Sequence, residues 1–358
     1  MKSRRLVRNA DQPPRRSTFS AGYSFRNSSP GRNRSCRSTR SHHMVRYLTP
    51  PYSRTVEPLD GIRLAIGAAA LGYGAWSDWQ TRRVPDRTWQ IAGGAGLALL
   101  AAELWQAQAS AGTWGLALAV GVLFWYSQID DEAIYGRELT AWRAAQVAGV
   151  AGMGYFALFE GWDALLASSQ AVDLVAALAL MVMMYGWYYF GPTIGGADVK
   201  ALLTVAVLVP FAPDAGATLY AFGDQGFPFP WVVFMNSLLL YLAIPVGLLA
   251  WNIAHGDLEK PWLQALLGVR MPLAQARDSY VWPMTRVVGG RTVLAPMVQR
   301  GLDLPAEWDA LDVADIERPW VSLKIPYIIP LFGAFLLAAF VGDLFSELLV
   351  APLGELFQ

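Results

Sequence analysis

The chain has 358 residues, of which 54% are hydrophobic and 13% aromatic, and its mean hydropathy is positive. This composition excludes an ordinary soluble domain and predicts an all-α fold, a polytopic helical bundle in a membrane. The net charge is zero, but its distribution is uneven. Residues 1–50 contain 12 of the 28 Lys and Arg residues and one acid, Asp11, so the rest of the chain is acidic.

Residues 1–53 are rich in Arg, Ser, Asn and Pro and have no apolar periodicity, which predicts a disordered basic tail. An Arg-rich tail outside the membrane would oppose the positive-inside tendency. We therefore expect that residues 1–43 are not part of the working protein and that translation begins at Met44. The alternatives are a genuine basic tail or a transit-like leader.

After Asp60, eight apolar segments predict about eight transmembrane helices, within a range of six to nine. They are 61–79, 88–107, 112–128, 144–160, 171–190, 198–213, 229–253 and 325–345. The predicted organisation is a membrane core over 54–253, a cytoplasmic loop or small folded insertion over 254–324, and a C-terminal transmembrane helix within 325–358.

The charges of the connecting loops predict the orientation of these segments. The loops near 106–112, 160–172 and 213–228 contain no Lys or Arg, whereas the alternate loops do. Because short basic loops stay in the cytoplasm, the first span should run from outside to inside. Four spans then separate Asp78 from Asp198, so both carboxylates are expected at the cytoplasmic boundary of the bilayer.

Asp78 and Asp198 are the candidate catalytic residues. A carboxylate costs about 2.5 to 3.5 kcal/mol at the centre of a membrane helix and less near its end, so such acids tend to mark function. Two carboxylates that share one proton can activate a water between them, because like-charge repulsion separates their two pKa values. This pairing is the chemistry of aspartic peptidases. The alternative is that both are polar helix-end residues.

Two motifs surround these residues. Asp78 begins Asp-Trp-Gln-Thr-Arg-Arg-Val-Pro-Asp, and Asp198 lies in Gly-Gly-Ala-Asp-Val-Lys over 195–200. Both motifs resemble those of the A24 aspartic peptidases, which process type IV prepilins and archaeal preflagellins. The chain departs from the family pattern at Asp86, where Asn is usual, and at Ala197. The stretch 320–330 also resembles a C-terminal extension of the archaeal branch.

The resemblance implies an endopeptidase that removes a short basic leader from a pilin-like or archaellin-like precursor at the cytoplasmic face of the cell membrane. Its partners would be that precursor and the lipid bilayer, with no nucleic acid. The cysteine-rich insert and methyltransferase activity of bacterial members are not expected, because the only cysteine is Cys36 in the tail. Without a Cys and His cluster in the membrane body, we expect neither a metal site nor a cofactor.

The supporting motif residues admit two interpretations each. Gly195 and Gly196, next to Ala197, either admit an extended substrate or allow close helix packing. Arg82, Arg83 and Lys200 are interpreted as interfacial anchors rather than catalytic partners, and Pro85 belongs to the turn that follows Asp78. The acidic run at 130–132 is interpreted as a solvated loop.

Two other classes of membrane protein remain as alternatives. An ion- or proton-coupled transporter would place its carboxylates near the bilayer midplane on symmetry-related broken helices, but the sequence has no internal repeat. An intramembrane protease of the presenilin or signal-peptide-peptidase kind pairs a Gly-x-Gly-Asp motif with Tyr-Asp, whereas Ser77 precedes Asp78 here.

Overall fold

The computed structural model describes residues 57–129, 134–161, 168–191, 194–213, 227–258, 262–295 and 302–350. A helix forms at each of the eight predicted apolar segments. They are α1 (Glu57–Thr81), α2 (Asp86–Gln106), α3 (Ala111–Tyr126), α4 (Arg137–Tyr155, extended by a π-helical turn to Glu160), α5 (Ser169–Phe190), α6 (Gly196–Leu208), α7 (Phe229–Ala254) and, further along the chain, α10 (Ile328–Phe340). The predicted tail 1–53 and the acidic run 130–132 lie outside the described residues.

The lengths of these helices establish only part of the predicted membrane topology. Within the described residues, α5 and α7 are long and apolar enough to cross a membrane, whereas α3 and α10 are apolar but shorter. Large apolar side chains are nevertheless exposed on other helices, among them Ile91 on α2 and Val147 on α4. Such surfaces are unusual in soluble monomers. The number of about eight spans stays a prediction.

Helix α6 lies at the centre of the helical bundle. Its residues from Ala201 to Leu208 are all buried, so its surface is covered by neighbouring helices rather than by solvent or lipid. The approach of α2 to α6 depends on Gly96, where an added Cβ would lie 2.7 Å from the Cα of Leu208. Glycine thus allows the two backbones to pack in contact.

The segment between α7 and α10 departs from the predicted all-α fold. It contains α8 (Leu273–Arg277), α9 (Leu304–Val313) and five short strands: β1 (Val269–Arg270), β2 (Val281–Pro283), β3 (Thr285–Val288), β4 (Arg291–Leu294) and β5 (Trp320–Leu323). Strand β5 pairs antiparallel with both β1 and β2, and β3 pairs with β4. The all-α prediction is wrong here, because strands of two to four residues are too short to produce a visible alternation.

The C-terminal half of α7 holds this strand-containing segment. The buried side-chain amide of Asn252 donates to the carbonyl oxygens of Ala265 and Gly268, at 2.9 and 2.8 Å. Leu248 and Leu249 pack against the two small apolar clusters of the segment. The strands are therefore fixed to the end of a long helix. The proposed boundaries at 253 and 324 stay a prediction.

Candidate active site

Asp78 lies in the last turn of α1, and the turn that follows is held by side chains of that helix. The amide of Arg82 donates to the carbonyl oxygen of Asp78 at 3.0 Å. The hydroxyls of Ser77 and Thr81 donate to the carbonyl oxygen of Arg83, at 2.7 and 3.0 Å. Arg82 has a φ of 56°, a left-handed conformation that reverses the chain after the helix. Pro85 then precedes α2 as its N-cap residue.

Asp198 lies in the first turn of α6, where its carboxylate turns back toward the start of the helix. Its Oδ2 atom accepts a hydrogen bond from the amide of Gly195 at 3.2 Å. A Cβ at Gly195 would lie only 2.8 Å from that oxygen, whereas a Cβ at Gly196 would make an ordinary 3.7 Å contact with Tyr188. Of the two motif glycines, Gly195 is therefore required by the position of the carboxylate.

The fold brings the two aspartates together although they are 120 positions apart in the sequence. Their carboxylates are close enough to interact electrostatically, and both side chains are partly buried. Neither forms a salt bridge within the part of the chain that is described. Two adjacent carboxyl groups without a paired cation can share a proton and exchange it with a water molecule.

Asp86, the third acid of the two motifs, forms a salt bridge with a lysine. Its Oδ1 atom lies 2.7 Å from Nζ of Lys200, so an ion pair joins the start of α2 to the first turn of α6. This contact links the two motifs and neutralises Asp86. The two motifs therefore hold one acid that is paired with a lysine and two, Asp78 and Asp198, that form no salt bridge with any described residue.

Two further cations lie beyond the end of α1. The guanidinium carbon of Arg82 is 5.1 Å from the ring centroid of Tyr280, and Nζ of Lys324 is 3.9 Å from that of Trp282. Burial, with a smaller contribution from the Arg82 charge, lowers the pKa of Lys324. The strand-containing segment thus approaches the turn after Asp78. Arg83, by contrast, is exposed, and Ala197 packs against the main core.

Sequence reasoning missed a pair of tyrosines where α7 meets the start of α10. The rings of Tyr241 on α7 and Tyr327 before α10 meet edge to face with centroids 5.8 Å apart, and the hydroxyls of Tyr327 and Ser237 are hydrogen-bonded. No local motif marks either residue, although Tyr327 falls within the stretch 320–330 that resembles the archaeal extension. Only the packing of α7 against α10 reveals them.

Among the residues that the structure describes, no group of three or more His, Cys, Asp or Glu side chains is arranged to hold a metal ion. The expectation of no metal and no cofactor stays a prediction.

Asp78 and Asp198 thus lie at the ends of two helices in a mostly helical bundle with apolar side chains on its surface. No family model matches the chain. It is 23% identical over 247 residues to a preflagellin peptidase of Methanocaldococcus jannaschii, which covers 66% of this chain and 97% of the relative. Preflagellin peptidases of Methanococcus voltae and Methanococcus maripaludis are 24% identical over 170 residues and 25% over 207. These matches cover 46% and 55% of this chain, and 70% and 86% of the respective relatives.

These similarities support a family relationship between this chain and the A24 preflagellin peptidases. The predicted resemblance to preflagellin peptidases is thereby supported, whereas the roles of Asp78 and Asp198 stay a prediction.

Proposed function

We propose that the protein is a membrane-embedded aspartic endopeptidase that removes the short basic leader of flagellin-like or pilin-like precursors at the cytoplasmic face of the membrane. The preflagellin peptidase homologues support a peptidase activity. The observation that supports the proposal for the mechanism is the placement of Asp78 at the end of α1 and Asp198 at the start of α6, in two motifs that the ion pair between Asp86 and Lys200 joins.

The mechanism requires one ionised and one protonated carboxyl group. The ionised group accepts a proton from a water molecule. The oxygen of that water attacks the carbonyl carbon of the scissile peptide bond at the same time. The protonated group donates to the carbonyl oxygen, and proton transfer to the amide nitrogen then releases the two peptides. Because Asp86 is paired with Lys200, Asp78 and Asp198 are the acids of the two motifs that remain for this exchange.

The cytoplasmic location rests on loop charges and on the position of the dyad. The turn after Asp78 contains Arg82, Arg83 and Arg87, the pattern of a cytoplasmic loop. A precursor whose basic leader is followed by an apolar helix would present its cleavage site at the same boundary. The cations beside the site favour contact of the precursor backbone, rather than of its basic side chains, with this region.

The test is co-expression with an epitope-tagged preflagellin and measurement of leader removal by gel shift. The unmodified protein should shorten the precursor, and Asp78→Asn or Asp198→Asn should lower the rate at least about 10³-fold. Asn retains the shape of the side chain but cannot exchange the proton. Asp86→Asn is the matched control, since it makes the same change at the third acid, and it should retain cleavage.

Membrane insertion of all three variants should equal that of the unmodified protein. Near-normal processing by Asp78→Asn would overturn the two-aspartate mechanism. Cleavage that is lost on chelation and restored by zinc would contradict the predicted independence from metal.

A further inference from the structure

Arg82, in the turn after Asp78, carries buried hydrogen-bond donors that lack an acceptor. Its Nε and Nη1 atoms are buried and have no hydrogen-bond partner among the described residues. Buried donors are normally paired, because an unpaired donor loses its hydrogen bonds to water without replacement. The residue as a whole is only half-buried, so the guanidinium is open on one side to an acceptor from outside the chain.

The contacts that hold the Arg82 side chain leave its donors unused. Its guanidinium carbon lies 5.1 Å from the ring centroid of Tyr280 and 5.9 Å from that of Trp79. A cation near an aromatic ring is held by its charge and gives up none of its N–H groups. Trp79 is 63% exposed, so its ring has room to turn aside and admit an acceptor to the guanidinium.

The backbone fixes Arg82 one helical turn beyond Asp78. The Arg82 amide donates to the Asp78 carbonyl oxygen at 3.0 Å, and the left-handed φ of 56° ends the helix there. One turn covers about 5.4 Å along the helix axis, a distance that an extended peptide covers in about two residues. An extended precursor with its scissile bond at Asp78 therefore brings a carbonyl oxygen about two residues away to Arg82.

We propose that Arg82 is a substrate-binding residue, whose guanidinium donates a hydrogen bond to a backbone carbonyl oxygen of the precursor leader, about two residues before the scissile bond. The inference rests on the proposed peptidase function. The leader is the side that reaches Arg82, because the chain runs from Asp78 toward the basic turn, whereas the apolar helix of the precursor stays in the membrane. A neutral carbonyl oxygen suits this site, since Arg82 and Lys324 repel the basic side chains of the leader.

The test is steady-state cleavage of a synthetic preflagellin peptide by the purified protein in neutral detergent. Arg82→Gln removes the charged donor and should raise KM about 10- to 100-fold, the effect of one hydrogen bond from a charged group. The kcat should change less than about threefold, because a carbonyl remote from the reacting bond is bound equally in the ground and transition states. Arg83→Gln is the matched control. It removes an exposed cation from the same turn and should keep KM within about threefold.

Peptides with a single thioamide at successive leader residues locate the acceptor, because sulfur accepts hydrogen bonds weakly. One position should raise KM for the unmodified protein and for Arg83→Gln but not for Arg82→Gln, which has no hydrogen bond left to lose there. Unfolding midpoints show whether each variant is folded. If Arg82→Gln does not fold, Arg82→Lys takes its place with the same expectation, because lysine keeps the charge but lacks the fixed guanidinium donors.

Three outcomes overturn the inference and leave the peptidase function standing. The first is an unchanged KM in a folded Arg82→Gln protein, and the second is a fall in kcat at constant KM. The third is a rise in KM that appears only when phosphatidylglycerol vesicles replace the detergent, because the guanidinium would then bind a lipid phosphate. If the unmodified protein cleaves no precursor, the proposed function itself is overturned, and this inference with it.

Discussion

The two ends of α6 differ in whether the acidic side chains there are paired with a cation. At the end near Leu208, Nη2 of Arg63 lies 2.7 Å from Oε2 of Glu103 while Nη1 donates to the Leu208 carbonyl oxygen at 3.1 Å. Arg63 and Glu103 are 1% and 6% exposed. At the opposite end, Asp198 lies in the first turn of α6, and neither it nor Asp78 forms a salt bridge within the described chain.

The ion pair at one end of α6 stabilises the fold, whereas the acids without a salt bridge at the other end are suited to proton exchange. Helix α6 has 13 residues and is about 20 Å long, shorter than the roughly 30 Å hydrocarbon core of a bilayer. Its final carbonyl groups therefore need a donor inside the protein, and Arg63 supplies one. A buried carboxylate with a paired cation has little tendency to bind a proton, whereas two facing acids exchange protons readily. The unpaired end is the one suited to catalysis.

The largest expected effect on stability comes from removing the ion pair between Arg63 and Glu103. Arg63→Met removes the guanidinium that pairs with the buried Glu103 carboxylate and donates to the Leu208 carbonyl, so stability should fall by about 3 to 5 kcal/mol. Chemical unfolding in detergent micelles, followed by tryptophan fluorescence, measures this change. The double variant Arg63→Met with Glu103→Leu should recover much of the loss, since it removes both charges. A loss below about 1 kcal/mol in the single variant would show that the pair is not structural.

Sequence patterns predicted the helices well because each contains a sustained apolar run. They placed the end of α6 too late, at 213 rather than Leu208. The apolar run continues past Leu208, but Pro210 cannot continue a helix and Arg63 caps the final carbonyl. The Arg63–Glu103 contact itself could not be predicted, because it joins residues 40 positions apart on different helices.

The candidate site was predictable to a similar extent. Asp78 and Asp198 stand out because acids within apolar runs are rare, and the parity of the intervening segments predicts that both lie at the same face of the membrane. The contact between Asp86 and Lys200 lies within the recognised motifs but depends on how α2 approaches α6. The contact between Tyr241 and Tyr327 has no such signal, since a tyrosine in an apolar helix is common.

The second prediction concerns the start of α6, where a substitution moves the Asp198 carboxylate without changing any charge. Gly195→Ala would place a Cβ 2.8 Å from Oδ2 of Asp198 and displace that carboxylate. A misplacement of about 1 Å costs roughly 10²-fold in rate, so leader cleavage should fall by about that factor while the unfolding free energy changes by less than about 1 kcal/mol. The paired measurement is cleavage rate and unfolding of the same preparation.

Gly196→Ala is the matched control for this change, because its Cβ would make only a 3.7 Å contact with Tyr188. It should retain cleavage within about threefold, a range far below the 10²-fold cost of misplacement. Equal rates for the two variants would mean that the amide–carboxylate contact at Gly195 does not set the position of Asp198 during catalysis.

The smallest effect is expected at an ion pair outside the helical bundle, where α9 meets β3. Nε of Arg286 donates to Oε2 of Glu307 at 2.9 Å, and this hydrogen bond lowers the pKa of the Glu307 carboxyl group. Because the folded-state pKa lies below the unfolded one, the pair stabilises the protein above the unfolded pKa of 4.5, and the contribution is lost as the pH falls through the folded pKa.

The two side chains of this pair are 18% and 17% exposed, so it should contribute about 0.5 to 1 kcal/mol at neutral pH. Glu307→Gln should lower stability by that amount at pH 7 and have less effect at about pH 3.5, where Glu307 is increasingly protonated in the unmodified protein. Asp309→Asn is the control, since that carboxylate is 69% exposed and should contribute less than about 0.5 kcal/mol. A larger loss at acidic than at neutral pH would contradict the sign. Comparison of the stability losses in Glu307→Gln and Arg63→Met shows how much burial, rather than ion-pair geometry alone, increases the stabilisation by the ion pair at the end of α6.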